Sequence, residues 1–229
     1  MLVSRRLISN MSERSFRRPS ARVLIADDHR LVAETCKNTL EPEFEVVGIA
    51  TDGRALVEAA FSLKPDIVLL DIGMPQLNGL DAGEKIKAKM PKVKLVFLTM
   101  NLGADIAAEA FRRGASAYVL KQSAAEELVI ALRKVLRGES YLSPLITRET
   151  ITQLLNRPNG RSEKRITSRQ SEILQLLAEG KSMKEAAAIL DLKPGTIAFH
   201  KYRMMQNLGI KTNAELLEYA IRHQMTGSS

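Results

Sequence analysis

The stretch that decides the fold reads DIVLLDIGMPQLNG over residues 66–79. Its apolar run, residues 67–70, is short and rich in branched side chains, which predicts a buried β-strand. Asp71 stands where this run stops, and a loop that contains Gly73 and Pro75 follows. The predicted strand therefore presents a carboxylate at its carboxyl end, next to an open loop.

Three other apolar runs also end in polar side chains. Residues 22–26 end at Asp27 and Asp28, residues 93–98 end at Thr99, and residues 117–120 end at Lys121. In an open parallel sheet, ligand groups gather at the carboxyl ends of the strands. We therefore expect these side chains and Asp71 to converge on one cleft.

Strand-like and helix-like segments alternate through the first half of the chain, which predicts an α/β domain whose parallel sheet is covered on both faces. Strands are expected near residues 22–26, 45–49, 66–70, 93–98 and 117–120, and helices near 29–40, 53–63, 80–89, 104–113 and 123–137. The predicted architecture is a doubly wound, five-stranded parallel sheet, and the cleft lies at its topological switch point.

The side chains expected in this cleft suit phosphoryl chemistry with a divalent cation. Mg²⁺ prefers oxygen ligands, and Asp27, Asp28 and Asp71 supply three carboxylates. A carboxylate can attack phosphorus and form an acyl phosphate, and Asp71 is the predicted nucleophile. Lys121 would stabilise charge on the transferring group, and Thr99 would donate its hydroxyl to a phosphoryl oxygen. Each residue alone also fits a cap or a turn, so the prediction rests on the combination.

Composition and charge narrow the class of protein. The formal net charge is +8, and residues 1–21 carry five arginines and one glutamate, whereas residues 22–137 balance 16 basic against 16 acidic residues. Residues 138–229 carry 13 basic and nine acidic residues, which favours contact with phosphates.

No apolar run approaches the length of a membrane helix, so no membrane partner is expected. The lone Cys36 fits a reducing compartment, and the predicted location is cytoplasmic, with residues 1–21 as a disordered basic tail.

The C-terminal segment, residues 167–229, predicts four short helices. Capping boxes begin at Thr167, Ser182 and Thr212, and a short turn separates the second helix from the third, as in a helix-turn-helix. The third helix offers side chains that suit double-stranded DNA, namely Thr196, Phe199, Lys201, Tyr202 and Arg203. The same pattern also fits an ordinary solvated helix face. Residues 138–166, with a Pro/Asn/Gly/Ser cluster, are predicted to form a linker with a possible short helix.

Residues 22–137 resemble the receiver domain of response regulators. The resemblance is carried by the motifs around Asp27-Asp28, by Asp71 with the following Met74-Pro75 and Gly79, by Thr99, and by Tyr118 with Lys121. It implies that Asp71 accepts a phosphoryl group from the phosphohistidine of a sensor histidine kinase. It also implies that Asp27, Asp28, Asp71 and the Gly73 carbonyl hold Mg²⁺, that Lys121 contacts the phosphoryl group, and that Thr99 and Tyr118 form the switch pair.

Residues 167–221 resemble the LuxR/NarL-type helix-turn-helix, through the motifs Thr167 to Gly180, Thr196-Ile197 with His200, and Leu208-Gly209. This resemblance implies that the third helix enters the major groove and that the fourth helps to pair two subunits. Together the two resemblances imply a two-component transcriptional regulator of the NarL/FixJ type. Such a protein is not an enzyme, and it forms a homodimer on phosphorylation.

Two other functions are compatible with part of this pattern. In one, the fold and the DNA binding are the same, but contacts with another protein control the molecule without phosphorylation. In the other, the chain is a phosphatase with an Asp nucleophile; such enzymes place a second Asp two residues after the nucleophile, where this chain has Gly73.

Overall fold

A computed structural model of the 229-residue chain describes residues 20–100, 102–122, 125–146, 166–223 and 225. Two sequence predictions fall wholly or largely outside these residues: the basic tail over residues 1–21 and the possible short helix of the linker. None of the helices in the described ranges is long and apolar enough to cross a membrane.

The described N-terminal domain is built on a parallel sheet with the strand order β2-β1-β3-β4-β5-β6. The strands are β1 Arg22–Ala26, β2 Glu45–Ala50, β3 Ile67–Leu70, β4 Lys94–Thr99, β5 Ala115–Leu120 and β6 Tyr141–Leu142. The order reverses between β1 and β3, which run side by side and carry Asp27 and Asp71 at their carboxyl ends. The predicted switch point therefore lies between these two strands.

The sheet has six strands instead of the predicted five. Tyr141 and Leu142 pair with Ala117 and Tyr118 of β5, and Ser143 N donates a hydrogen bond to Tyr118 O at 3.0 Å. This segment was predicted to be linker, because two residues are too few to show a strand periodicity. Both residues are nevertheless buried, so they extend the sheet past Gly138.

Five helices cover the two faces of the sheet: α1 Arg30–Leu40, α2 Gly53–Leu63, α3 Gly79–Lys89, α4 Ala104–Arg112 and α5 Ala125–Leu136. Buried side chains form one cluster on each face. Local chemistry sets where the helices begin: Asp52 accepts hydrogen bonds from the backbone of the first turn of α2, and Asn78 does the same for α3.

The C-terminal domain has the four predicted helices: α6 Ser168–Ala178, α7 Met183–Leu190, α8 Pro194–Leu208 and α9 Asn213–Arg222. The capping boxes at Thr167 and Ser182 are complete. At Thr212 the side chain accepts from Glu215 N, but Glu215 accepts from the backbone of Lys211 instead of Thr212. A small apolar core joins the helices, with Ile173, Leu190, Ile197, Met204 and Leu216 among its members.

The two domains are in direct contact through one face of α6. Residues 170–175 of this helix are all buried, although a helix that packs on one core buries a single stripe. Ile173 and Leu174 belong to the core of their own domain. Glu172 and Gln175 instead contact the N-terminal domain, at α3 and at the loop between β3 and α3. The contact therefore accounts for the second buried face.

Candidate functional site

The predicted cleft side chains meet at the carboxyl ends of β1, β3 and β5. Lys121 Nζ lies 2.8 Å from Asp71 Oδ2 and 2.8 Å from Asp27 Oδ2, so one ammonium bridges the two carboxylates. The remaining oxygens accept backbone hydrogen bonds: Ile72 N donates to Asp71 Oδ1 at 2.7 Å, and His29 N donates to Asp27 Oδ1 at 2.9 Å. These bonds fix the direction in which each carboxylate points.

Burial and charge act in opposite directions on this cluster. Burial raises the pKa of the Asp71 carboxyl, and the nearby Lys121 ammonium offsets that rise only in part. Burial alone would lower the pKa of Lys121, but the Asp71 and Asp27 carboxylates outweigh it and the pKa is raised. Lys121 is thus firmly protonated, whereas Asp71 ionises less readily than an exposed aspartate.

The donor set fits a hard divalent cation. Ligand atoms of Asp27, Asp28, His29 and Asp71 all lie within 4.8 Å of one another. Asp28 Oδ1 is shielded from solvent and accepts no hydrogen bond of good geometry from the described residues, although His29 Nδ1 lies 3.0 Å away. Three carboxylates beside one ammonium leave an excess of negative charge, which an oxygen-seeking cation would neutralise. The sequence prediction did not include His29 in this group.

The other predicted residues of the cleft lie close by. Gly73 is buried in the loop two residues after Asp71. Thr99 ends β4, is 2% exposed, and its carbonyl accepts from Lys121 N at 2.8 Å. Tyr118 on β5 is fully buried and packs in the apolar cluster with Phe97 and Leu120. The structure therefore brings Thr99 to the cluster edge and keeps Tyr118 inside the domain.

On the third helix of the C-terminal domain, four of the five predicted residues lie on the outward side. Phe199 is 58% exposed and Tyr202 is 66% exposed, and the Arg203 guanidinium lies 5.8 Å from the Phe199 ring centroid. Thr196 is half-buried one turn earlier. Lys201 does not share this face, because two residues along a helix turn the side chain by roughly 160° away from Phe199.

The contact between the domains involves residues that the sequence did not mark as functional. Gln175 Nε2 donates to Met74 O at 2.8 Å, and Asn78 N donates to Gln175 Oε1 at 2.7 Å. Gln76 N donates to Glu179 Oε1 at 2.9 Å. The only sequence signal was a polar residue, Gln175, between the apolar Leu174 and Leu176, and such a residue ordinarily faces water.

Comparisons with known proteins agree with this architecture. Residues 23–133 match the family described as the response regulator receiver domain, and residues 164–220 match the bacterial regulatory proteins of the luxR family. The oxygen regulatory protein NreC of Staphylococcus aureus is 33% identical over 213 residues, which are 89% of this chain and 98% of NreC. The chain belongs to the response regulators with a LuxR-type DNA-binding domain. It is a DNA-binding transcription regulator whose receiver domain places it under the control of phosphorylation.

Solved structures of another response regulator have the same two-domain organisation. RcsB of Salmonella typhimurium, described for its conformational dynamism in DNA interaction, has 28% sequence identity and a TM-score of 0.62, covering 89% of this chain and 98% of RcsB. A second structure shows RcsB of Salmonella enterica serovar Typhimurium bound to the promoter rprA in the presence of the phosphomimetic BeF3⁻. It has 30% sequence identity and a TM-score of 0.61, and the match covers 87% of this chain and 98% of that RcsB chain.

Proposed function

We propose that Asp71 is the phosphoryl acceptor and that its phosphorylation controls how the C-terminal domain binds DNA. The observation that carries this proposal is the bridge from Lys121 to Asp71 and Asp27, at 2.8 Å on each side. An ammonium held beside a carboxylate nucleophile stabilises the negative charge of a transferring phosphoryl group. A sensor histidine kinase is the proposed donor, because this receiver family takes phosphoryl groups from phosphohistidine.

The proposed transfer makes one bond and breaks one. An Asp71 carboxylate oxygen attacks phosphorus, the bond from phosphorus to the donor imidazole nitrogen breaks, and that nitrogen keeps the electron pair. Asp27, Asp28 and Asp71, with the Gly73 carbonyl, are the proposed ligands of Mg²⁺, which would supply positive charge to the phosphoryl oxygens. Lys121 holds the new phosphoryl group from the other side. Asp71 reacts only when ionised, so its raised pKa makes the cation and Lys121 important for reactivity.

Thr99 and Tyr118 are the proposed switch pair. Thr99 stands at the end of β4, where its hydroxyl would donate to a phosphoryl oxygen on Asp71. Tyr118 lies on the neighbouring strand β5, whose pairing with β4 joins Phe97 to Tyr118 and Thr99 to Leu120. A movement of Thr99 towards the phosphoryl group would change the space beside Tyr118, which is fully buried. Two alternative packings of this pair would give the receiver two states.

The proposed DNA-reading face of α8 consists of Thr196, Phe199, Tyr202 and Arg203. Arg203 suits a phosphate, Tyr202 and Thr196 suit phosphates or base edges, and the Phe199 ring suits a thymine methyl. Lys201 lies off this face, so we assign it at most a contact with a flanking phosphate. Half-sites would lie about one helical turn, roughly 10 bp, apart if two subunits bind together.

The proposed homodimer pairs through α9. Leu217 is 42% exposed and Ile221 is 59% exposed, and they stand four residues apart on one face of the helix. Two apolar side chains at this spacing form a short stripe that a second copy of the helix can cover. A cytoplasmic location is part of the same proposal, since the DNA target and a kinase domain meet there.

The test is to label the full-length protein with acetyl phosphate in the presence and absence of Mg²⁺ and to map the site by mass spectrometry. Phosphorylation on the peptide that contains Asp71, lost in Asp71→Ala and without Mg²⁺, is the expected result. If no phosphoryl group is taken up from acetyl phosphate or from phosphohistidine donors, the proposal fails, and control by protein contacts alone becomes the better account.

A further inference from the structure

His29 lies among the three aspartates of the receiver cleft, although its side chain ends in a nitrogen donor. Its Nδ1 lies 3.0 Å from Asp28 Oδ1 and 3.5 Å from Asp27 Oδ1. Ligand atoms of these three residues and of Asp71 all lie within 4.8 Å of one another, and we call this group of four the acceptor site. Imidazole nitrogen is the commonest metal ligand in proteins. His29 therefore adds a second kind of donor to a cluster of carboxylates.

The backbone fixes His29 beside the aspartates. Its amide donates to Asp27 Oδ1 at 2.9 Å, and its carbonyl accepts from Val32 N at 2.9 Å and from Ala33 N at 3.1 Å in the first turn of α1. His29 directly precedes this helix, at a position where a side chain often caps the helix end, yet its own side chain makes no such bond. The imidazole is therefore not needed to start the helix.

His29 and Asp28 lie side by side instead of facing each other as donor and acceptor. Their 3.0 Å separation is short enough for a hydrogen bond, but Asp28 Oδ1 is shielded from solvent and accepts none of good geometry from the described residues. Neighbouring ligands of one octahedral ion with bonds of about 2.1 Å also stand about 3.0 Å apart, and they point at a common centre instead of at each other. The spacing and the unsatisfied oxygen fit two ligands of the same cation.

The ammonium of the cluster leaves this side of the site open. Lys121 Nζ contacts Asp27 at Oδ2, whereas His29 lies nearer to Oδ1 of the same carboxylate. The His29 side chain is 46% exposed, so water can accept a hydrogen bond from its Nε2–H when Nδ1 faces a cation. Metal-binding histidines commonly donate the other ring N–H in this way, which fixes the tautomer.

We infer that His29 supplies a nitrogen ligand to the cation of the acceptor site, and that the site therefore prefers a first-row transition cation to Mg²⁺. This inference rests on the proposed cation site of Asp27, Asp28 and Asp71. Mg²⁺ keeps to oxygen donors, whereas imidazole suits transition cations, whose affinity for a given site rises from Mn²⁺ through Co²⁺ to Ni²⁺. The aspartates supply negative charge for any of these ions, so His29 is the side chain that decides among them.

Two other roles of His29 would act on all divalent cations alike. As a positive counter-charge to the aspartates, the imidazole would compete with every cation, and its removal would raise all affinities by the same factor. As a group that only orients Asp28, it would help every cation, and its removal would lower all affinities by the same factor. A ligand nitrogen alone changes the ratio of the affinities for a transition cation and for Mg²⁺.

The experiment measures this ratio on the full-length protein after treatment with EDTA and removal of the chelator. Co²⁺ and Mg²⁺ are titrated separately by calorimetry into the wild type, His29→Ala and His29→Asn, whose folding is checked by circular dichroism. Asp28→Asn shows whether the titrated ions bind at the acceptor site. His223→Asn is the matched control, because this histidine belongs to the C-terminal domain and stacks on Tyr219, with the ring centroids 4.0 Å apart.

Both His29 variants are expected to lower the ratio of Co²⁺ affinity to Mg²⁺ affinity at least about tenfold, since even a group that only supports a ligand is worth roughly 10- to 100-fold in metal affinity. The fall should come from weaker Co²⁺ binding, with Mg²⁺ binding within about twofold of the wild type. His223→Asn should keep the wild-type ratio, and Asp28→Asn should weaken both cations. Beryllofluoride, a mimic of the phosphoryl group, should bind the wild type at lower concentrations of Co²⁺ than of Mg²⁺.

A spectroscopic measurement identifies the ligand directly. The chain has three histidines, and His200 and His223 belong to the C-terminal domain. Pulsed electron paramagnetic resonance of the Mn²⁺-loaded protein should therefore show a coupled imidazole nitrogen that changes on ¹⁵N-histidine labelling and disappears in His29→Ala. A spectrum without such a nitrogen in the wild type would overturn the inference.

The outcomes separate the inference from the proposed function. If the wild type binds both cations through Asp28 and the His29 variants keep its affinity ratio, the inference is wrong and the proposed function stands. An equal rise for both cations in His29→Ala would identify a counter-charge, and an equal fall would identify a group that orients Asp28; either overturns the inference. If the wild type binds neither cation, or if Asp28→Asn binds both as well as the wild type does, the proposed cation site fails and takes the inference with it.

Discussion

Substitution of Gly79 by alanine tests how closely the acceptor strand and helix α3 approach each other. A Cβ atom at this position would lie 2.0 Å from Asp71 O, 2.9 Å from Asp71 C and 3.0 Å from Ile72 Cα. Contacts of real Cβ atoms begin near 3.0 Å, so the two backbone segments must separate by about 1 Å. The atoms that the Cβ would meet belong to the backbone, so no change of side-chain rotamer can relieve the overlap. The hydrogen bond from Gly79 N to Ile72 O, now 2.8 Å, must therefore stretch or break.

The expected loss of stability follows from this overlap. Overpacking a tight site typically costs about 1–3 kcal/mol, and the rigid partners here place Gly79→Ala near the upper end, at about 3 kcal/mol. For a chain of this length, that loss lowers the midpoint of thermal unfolding by roughly 6–12 °C. The same displacement moves Asp71 relative to Lys121, so the affinity for beryllofluoride and Mg²⁺ should fall as well.

The assay is thermal unfolding followed by circular dichroism, with Gly195→Ala as the matched control. A Cβ at Gly195 meets nothing within 4 Å, and this residue lies in the first turn of α8. Alanine should there be neutral or stabilising by about 0.5 kcal/mol, because it suits a helix better than glycine does. If Gly79→Ala unfolds within 1 °C of the wild type, the approach of Gly79 to the Asp71 backbone is not what excludes a side chain at this position.

Two further predictions concern the charge of Asp71 in the receiver and the charges on helix α8. In magnesium-free buffer, Asp71→Asn should stabilise the protein, because burial raises the pKa of Asp71 and the folded state disfavours its ionised form. This gain in stability should grow as pH rises above the ordinary aspartate pKa of roughly 3.9 and vanish below it. Thermal unfolding in EDTA measures it, and a variant that is less stable than the wild type at pH 8 would contradict the prediction. On DNA, Arg203→Ala should weaken binding and lower the slope of log affinity against log salt by about 1, whereas Lys201→Ala should stay within twofold. Equal losses in the two variants would show that the assigned face of α8 is wrong.

The sequence predicted the receiver fold well because its signals are local and repeated. The apolar run of residues 67–70 is buried throughout, and its neighbours end at the residues expected to form the cluster. The sequence also predicted correctly that helices begin at Thr167 and Ser182, because a capping box involves residues that lie only three positions apart. The two-residue strand at Tyr141 was missed because two residues show no periodicity and because the strand with which it pairs, β5, is separated from it by helix α5.

The contact between the two domains could not be predicted from the sequence. Gln175 is a polar residue on a helix whose apolar stripe already faces another core, and such a residue normally faces water. Its burial depends on the shape of a loop about 100 residues earlier in the chain, and no local pattern encodes that match. Lys201 stays a predicted DNA contact, but it lies roughly 160° around α8 from Phe199, because the prediction grouped the residues near Phe199 without regard to the roughly 100° turn per residue.

Whether modification of Asp71 controls DNA binding can be decided by a single measurement. It is the affinity of the full-length protein for a selected duplex, with and without beryllofluoride and Mg²⁺, in the wild type and in Asp71→Ala. We expect the wild type to bind DNA roughly tenfold or more tightly with beryllofluoride, and Asp71→Ala to bind equally in both conditions. An unchanged affinity in the wild type, or a response that persists without the Asp71 carboxylate, would show that modification of Asp71 does not control DNA binding.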